Sequence, residues 1–262
     1  MSKRLSSAEF SPAKKALGQN FLHDQQIIQR IVASLNPQKD EKVIEIGPGR
    51  GALTELLLQS GCDLHVIEFD YALADYWSQR ADECQNLTVH RANVLAVDFD
   101  DIIHNSQTKV IGNLPYNISS QILINLLSVD NVADIVAMLQ LEMVDRIIAE
   151  PNNKTYGRLS VMLQQHYKCE KLFKVPSGAF QPAPKVDSAI IRLTPHHSAQ
   201  LQLRDSERFA EIVKAAFSMR RKTLRNTLKK VIDSEQFITV GIDPKLRAEN
   251  LSVEDFVRLA NV

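Results

Sequence analysis

The spacing of apolar residues along this chain changes from one stretch to the next. In "DQQIIQRIVASL" (24–35) they fall at 27, 28, 31, 32 and 35, one face of a helix, and Asp24 stands where an N-cap belongs. Short, nearly continuous apolar runs then alternate with helical ones. "KVIEIG" (42–47) precedes "ALTELLLQSG", and "DLHVIEFD" (63–70) precedes "YALADYWSQRA". "LTVHRA" leads into a polar connector, "KVIGN" precedes "ISSQILINLLS", and "VADIVAML" precedes "EMVDRIIAE". Strands apolar on both faces and separated by helices predict buried parallel strands in an α/β fold. "KLFKVP" and "SAIIRL" read as two further strands forming an antiparallel edge. From about residue 203 the pattern is helical only. The expected division is an α/β domain over 1–200 and a small all-α domain over 201–262, with the boundary in "TPHHSAQ" (194–200). The first ten or so residues are polar and read as flexible.

Composition narrows the class. A hydrophobic fraction of 44% over 262 residues supports a substantial core without staples. Cys62, Cys84 and Cys169 are far apart and form no CxxC pair, which points to reduced thiols and a cytoplasmic protein. The histidines form no HxxxH or Cys/His cluster, so no metal is expected; "HH" at 196 and 197 reads as loop. The N-terminus has no apolar signal region, and no apolar run approaches the ~18 residues that span a membrane. Net charge is zero, but residues 201–262 carry 12 Lys+Arg against 9 Asp+Glu, leaving 19 and 22 for the rest.

Candidate chemistry begins at "EIGPGRGALTELL", where a strand turns into a helix. Gly47, Gly49 and Gly51 allow close approach of a ligand to the backbone, and the following helix offers free N–H groups. The spacing is neither GxGxxG nor a P-loop. Glu68, 21 residues after Gly47 at the end of the next strand, is placed to accept from both hydroxyls of a ribose. Together they suggest a nucleoside cofactor; the alternative is a tight turn and a surface acid. Asn93 follows the third strand, where its amide could meet an adenine edge or only shape a turn. Trp77 reads as packing.

"IGNLPYNIS" (111–119) ends the fourth strand. Ligands of open α/β sheets bind outside the carboxyl ends of the strands, so Asn113, Leu114, Pro115 and Tyr116 should face the same crevice as the glycines. They suit methyl transfer to the exocyclic amine of adenine, a poor nucleophile because its lone pair is delocalised. The Asn113 side-chain carbonyl and a backbone carbonyl near Leu114 could bind its two hydrogens and favour the pyramidal form. Pro115 stiffens the chain, and Tyr116 could stack on a flipped-out base. Catalysis then rests on positioning and electrostatics. The bland alternative is a strand-ending turn.

Between Val213 and Ile232 lie seven basic residues and no acid: Lys214, Arg220, Arg221, Lys222, Arg225, Lys229 and Lys230. Apolar residues at 217, 219, 224, 228 and 231 would keep one helix face for packing and collect the charge on the other, a footprint of phosphate contact. Phe180, between Gly178 and Pro182, reads on its own as an anchored loop residue.

Six ordered stretches, "LGQNFL", "EIGPGRGALT", "GNLPYNIS", "YGRLSVM", "PSGAFQPAPKVDSAIIRL" and "FSMRRKTLRN", span nearly the whole chain. In them the sequence resembles the bacterial small-subunit ribosomal RNA adenine N6,N6-dimethyltransferases, the KsgA type. The resemblance implies a Rossmann-like class I methyltransferase sheet, mostly parallel with an antiparallel edge strand, and S-adenosylmethionine as cofactor. It assigns Asn20, Leu22, Gly47, Gly49, Glu68, Asn93 and Asn113 to the cofactor. It places Phe180 on the target base opposite Tyr116, while the charge pattern puts Arg220, Arg221, Lys222 and Arg225 on RNA. The implied substrate is two adjacent adenosines in the 3′-terminal hairpin loop of 16S rRNA within an immature small subunit, modified late in assembly by a monomer. Asn93 stands where the family usually has Asp, and Leu141 where a basic residue is common. A large-subunit adenine methylase and a binding protein without catalysis are the competing readings.

Overall fold

Apart from β1, the first elements of the chain follow the sequence pattern closely. They are β1 (Phe21–Leu22), α1 (Gln25–Leu35), β2 (Lys42–Ile46), α2 (Thr54–Ser60), β3 (Asp63–Glu68), α3 (Tyr71–Ala81) and β4 (Leu87–Arg91). Next come α4 (Asp100–Ile103), β5 (Thr108–Asn113), α5 (Ser119–Asn125), β6 (Val132–Gln140), α6 (Leu141–Ile147), α7 (Arg158–His166) and β7 (Tyr167–Val175). The chain continues through β8 (Phe180–Gln181), β9 (Ser188–Pro195), α8 (Ser206–Ala216), α9 (Leu224–Thr227), α10 (Ser234–Val240) and α11 (Val253–Ala260). The computed structural model describes residues 13–14, 18–104, 106–196 and 202–262. The flexible start and the 197–201 part of the expected boundary, His197 included, lie outside them. No helix among the described residues is long and apolar enough to cross a membrane.

Contacts divide the chain into two units. The first takes residues up to Leu141 together with Lys171–Thr194; the second takes Glu142–Glu170 and Pro195–Val262. In the second unit α7 packs against α8 and α11, so a segment between β6 and β7 joins the C-terminal helices.

In the first unit a seven-stranded sheet runs in the order β4-β3-β2-β5-β6-β9-β7. The pairs β2–β3, β3–β4, β2–β5 and β5–β6 are parallel, and β6–β9 is antiparallel. The near-continuous apolar runs are what a sheet covered on both faces requires. Asp24 caps α1 by accepting from the N–H groups of Gln26 and Ile27, and Ile27, Ile28, Ile31, Val32 and Leu35 are buried. Trp77 is fully buried in the same core cluster as Leu57 and Leu64. "KLFKVP" is the latter part of a longer strand, Tyr167–Val175.

Connections leave β2 toward β3 and β4 on one side, and β5 and β6 lie on the other. The switch point therefore falls between the carboxyl ends of β2 and β5, at Gly47 and Asn113. The two strands are in register with Ile46 opposite Gly112. A Cβ on Gly112 would come within 2.5 Å of the Ile46 carbonyl oxygen, so only glycine brings Asn113 this close to the loop.

Candidate active site

A cavity of about 270 Å³ opens at that switch point. Among its walls are the glycine loop, the end of β3, Asn93 after β4, residues 113–118 after β5, and the segment 18–21. Gly47, Gly49 and Gly51 all have positive φ. The loop is supported from below by Trp77, whose indole N–H donates to the Gly49 carbonyl at 2.9 Å. A Cβ on Gly51 would meet the edge of that ring at 2.6 Å. Trp77 thus packs, as its sequence context suggests, and also fixes the loop's path.

Glu68 is buried at the cavity wall. Its Oε1 accepts from the Asp70 N–H at 2.8 Å and its Oε2 from the Gly49 N–H at 3.2 Å. Burial pushes its pKa up, against the lowering pull of backbone N–H groups of Asp70, Gly49 and Phe69. Each oxygen has lone pairs left for a neutral diol, so the site fits the ribose of a nucleoside. Gly47 strengthens the fit: a Cβ there would meet nothing nearer than the Asn113 carbonyl at 4.0 Å, leaving that face of the loop open. Ile67, Phe69, Leu73, Val94 and Leu95 give apolar walls for a purine. Asn93 caps the turn 94–96, its Oδ1 accepting from the Leu95 N–H at 3.0 Å. Its Nδ2 is the group with no protein partner among the described residues.

Asn113 ends β5, and its Nδ2 donates to the Asn20 carbonyl at 3.0 Å. The Leu114 N–H donates to the Met138 carbonyl at 3.2 Å. Among the described residues no donor reaches Asn113 Oδ1 or the Leu114 carbonyl. Two unpaired acceptors side by side are what an exocyclic amine with two hydrogens needs. The Tyr116 hydroxyl pairs with Ser188 Oγ at 2.7 Å, and burial raises its pKa, keeping it protonated.

Of the residues assigned to the cofactor, Asn20, Gly47, Gly49, Glu68, Asn93 and Asn113 line this cavity. Leu22 is buried and borders a smaller cavity of about 40 Å³ beside the same loop. That space also receives Glu45, which is 1% exposed with an unpartnered Oε2. Burial raises its pKa to about 8, so this carboxyl is neutral at pH 7. Asn113, Leu114, Pro115 and Tyr116 all reach the larger cavity. Phe180 does not line it: the ring is buried in the core cluster with Leu22 and Val175, and β8 pairs with β1 through Leu22 opposite Phe180. Glu45, Ser188, Gln19 and Asp70 are site-building residues that pattern reading passes over. Only the "LGQNFL" and "KVDSAI" stretches flagged the neighbourhoods of Gln19 and Ser188.

The basic run lies in the second unit and is not one helix. After α8 ends at Ala216, the chain turns through 217–222 and re-enters helix only for Leu224–Thr227. The Ser218 hydroxyl takes the Ala215 carbonyl at 2.6 Å, a bond that competes with helix continuation. Leu224 and Leu228 are buried, but Met219 is 48% exposed and so does not lie on a packing face. Arg220 is tied within the protein, donating to the Lys154 carbonyl at 2.6 Å and lying 3.8 Å from Glu249. Arg221, Lys222 and Arg225 are exposed, and their side chains have no hydrogen-bond or ion-pair partner among the described residues.

Comparisons with known proteins bear on the family and the fold. A family model described as ribosomal RNA adenine dimethylase matches residues 11–262. A ribosomal RNA small subunit methyltransferase A from Xanthomonas campestris pv. campestris is 48% identical over 259 residues, covering 98% of this chain and 99% of its own length. Among solved structures, a dimethyladenosine transferase from Plasmodium falciparum superposes with a TM-score of 0.78 at 24% identity, covering 91% of this chain and 95% of its own. The 23S rRNA methyltransferase ErmE superposes with a TM-score of 0.70 at 26% identity, over 92% and 98%.

Proposed function

We infer, from the premise that this chain belongs to the ribosomal RNA adenine dimethylase family, that it dimethylates N6 of adenosines in small-subunit (16S) rRNA using S-adenosylmethionine. The observation that carries the chemistry is the pair of unpaired acceptors, Asn113 Oδ1 and the Leu114 carbonyl, beside a nucleoside cavity. The small-subunit target follows the 48% relative, not the large-subunit enzyme matched at 26%.

The bound cofactor supplies an electrophilic methyl carbon. The protein's part is to hold the amine in line with it. Asn113 Oδ1 and the Leu114 carbonyl accept the two N6 hydrogens and turn the lone pair out of conjugation. Tyr116, its hydroxyl anchored by Ser188, offers a ring for the extruded base. Glu68, Asn20 and Gly49 hold the cofactor. Adenine N6 sheds one proton for each methyl gained, and no carboxylate base is needed, because the proton leaves a nitrogen made cationic by the transfer. After the first transfer one N–H remains, so the second methyl is added with only one of the two carbonyls engaged.

The targets are two adjacent adenosines of the 3′-terminal hairpin loop, presented by an immature small subunit late in assembly. Arg221, Lys222 and Arg225 contact its phosphates, with Arg220 shaping the turn that carries them. The α/β domain binds cofactor, the C-terminal helices bind RNA, and the enzyme acts as a cytoplasmic monomer. The test is incubation with methyl-labelled cofactor and small subunits lacking the modification, then mass spectrometry of both rRNAs. Dimethyladenosine in the 16S hairpin is expected. Label confined to 23S rRNA, or none at all, refutes the assignment.

A further inference from the structure

We propose that Asp70 is a positioning residue for the methyl transfer: by holding Gln19 it fixes the main chain at Asn20, whose carbonyl sets which way the Asn113 amide faces. The inference rests on the catalytic reading of Asn113 given above.

Asp70 is buried at the start of α3 and is not part of the cavity wall. Its Oδ1 caps the helix, accepting from the Ala72 N–H at 3.1 Å, and also receives Lys14 Nζ at 2.7 Å. Its Oδ2 accepts from Gln19 Nε2 at 2.9 Å, and Gln19 Oε1 accepts from the Lys14 N–H at 2.8 Å. One residue on, the Asn20 carbonyl accepts from Asn113 Nδ2 at 3.0 Å.

A carbonyl only accepts, so the amide atom facing Asn20 must be nitrogen. The Asn113 oxygen is thereby turned away from Asn20 and left for the target amine. An amide is nearly symmetric in shape. Without the Asn20 carbonyl it could rotate half a turn at no steric cost and set its own N–H groups against those of the amine. Gln19 and Asn20 belong to no helix or strand. Their C-terminal anchor is the β1–β8 pair, and Asp70 supplies the anchor before it. Burial alone would raise the Asp70 carboxyl, but the bonds from Lys14, Gln19 and Ala72 outweigh it and hold it below the usual carboxylate range. It therefore serves as a charged acceptor at neutral pH, the stronger kind.

Two near-isosteric changes test the relay. Asp70→Asn keeps a capping oxygen but sets an amide N–H₂ against that of Gln19. Gln19→Glu sets two carboxylates against each other. Combining them restores one donor and one acceptor with the direction reversed. The readouts are kcat and cofactor KM on small subunits and, in cofactor-free protein, hydrogen exchange of the Asn113 side-chain amide by NMR, identified by its loss in Asn113→Asp. Each single variant is expected to lower kcat at least tenfold at saturating cofactor and to remove the amide's protection while the protein stays folded. The double variant recovers both. Single variants with parental kcat and a protected amide overturn the proposal, as does a folded double variant that recovers neither. If one single variant fails to fold, the other and the double decide on the same two readouts. If the parent transfers no methyl to adenine, the catalytic reading fails, while amide exchange still judges the relay.

Discussion

The cavity at the β2–β5 switch point and the basic turn after α8 are the two regions proposed to meet ligands, and they are built by opposite means. In the cavity each key group is fastened by another, while the acceptors meant for the target amine are left open. Glu68 is gripped by two backbone N–H groups, Asn113 by Asn20, Tyr116 by Ser188, and the glycine loop by Trp77. In the turn, Arg221, Lys222 and Arg225 stand exposed, and only Arg220 is fastened. Methyl transfer tolerates little misplacement of the reacting atoms. Phosphate attraction tolerates a great deal, because it acts over a Debye length of about 8 Å at physiological salt. The contrast predicts large, all-or-nothing losses in the cavity and graded, salt-dependent losses in the turn.

The largest effect is expected at Asn113. Asn113→Ala removes one of two oriented acceptors and should cost on the order of 10²–10³-fold in kcat, with cofactor binding still measurable by calorimetry. Methylation at the parent rate would break the comparison at its stronger end. Glu68→Gln comes next. An amide keeps one acceptor oxygen but cannot receive both the Gly49 and Asp70 N–H groups as the carboxylate does. The Kd for S-adenosylmethionine should rise roughly tenfold or more, as for loss of a hydrogen bond to a charged group, while kcat at saturating cofactor changes little. An unchanged Kd would remove Glu68 from the ribose.

Arg221→Glu with Arg225→Glu should weaken small-subunit binding and flatten its salt dependence, each lost phosphate contact lowering the log–log slope by about 0.7–0.9. Arg220→Ala sharpens the contrast within the turn itself, because its loss should register in thermal stability through Lys154 and Glu249. Identical salt profiles for the parent and the double variant would exclude this patch as the RNA face.

The smallest effect concerns Glu45. Its folded pKa of about 8 lies above the ordinary 4.5, so the stability it contributes is full below pH 4.5 and is lost as pH rises through 8. Glu45→Gln should match the parent near pH 4.5 and exceed it at pH 9, with Tm rising roughly 2–4 °C per kcal/mol regained. Parallel Tm profiles across that range would show that the carboxyl is not the buried neutral acid described here.

The α/β sheet and most of the cavity wall were legible because they depend on local signals. Buried strands read as apolar runs, Asp24 as a cap, and the glycines and the Asn-Leu-Pro-Tyr turn as breaks placed at strand ends. What escaped depends on pairing between distant positions. β1 and β8 are two residues each, too short for any periodicity, yet together they place Leu22 against Phe180. Asp70 and Gln19 are 51 positions apart, and Tyr116 and Ser188 are 72 apart; nothing local marks either pair. The basic run misled for a different reason. Apolar residues at 217, 219, 224, 228 and 231 imitate a helix face, but α8 ends at Ala216, the Ser218 hydroxyl bonds back to the Ala215 carbonyl, and Met219 turns outward.

Trp77 is the chain's one tryptophan, and it sits beneath the glycine loop proposed to carry the cofactor. Its ultraviolet emission therefore reports on that loop without interference from any other indole. Cofactor titrations can be followed in the unlabelled wild-type protein, and a variant whose loop has collapsed would announce itself in the spectrum before any assay was run.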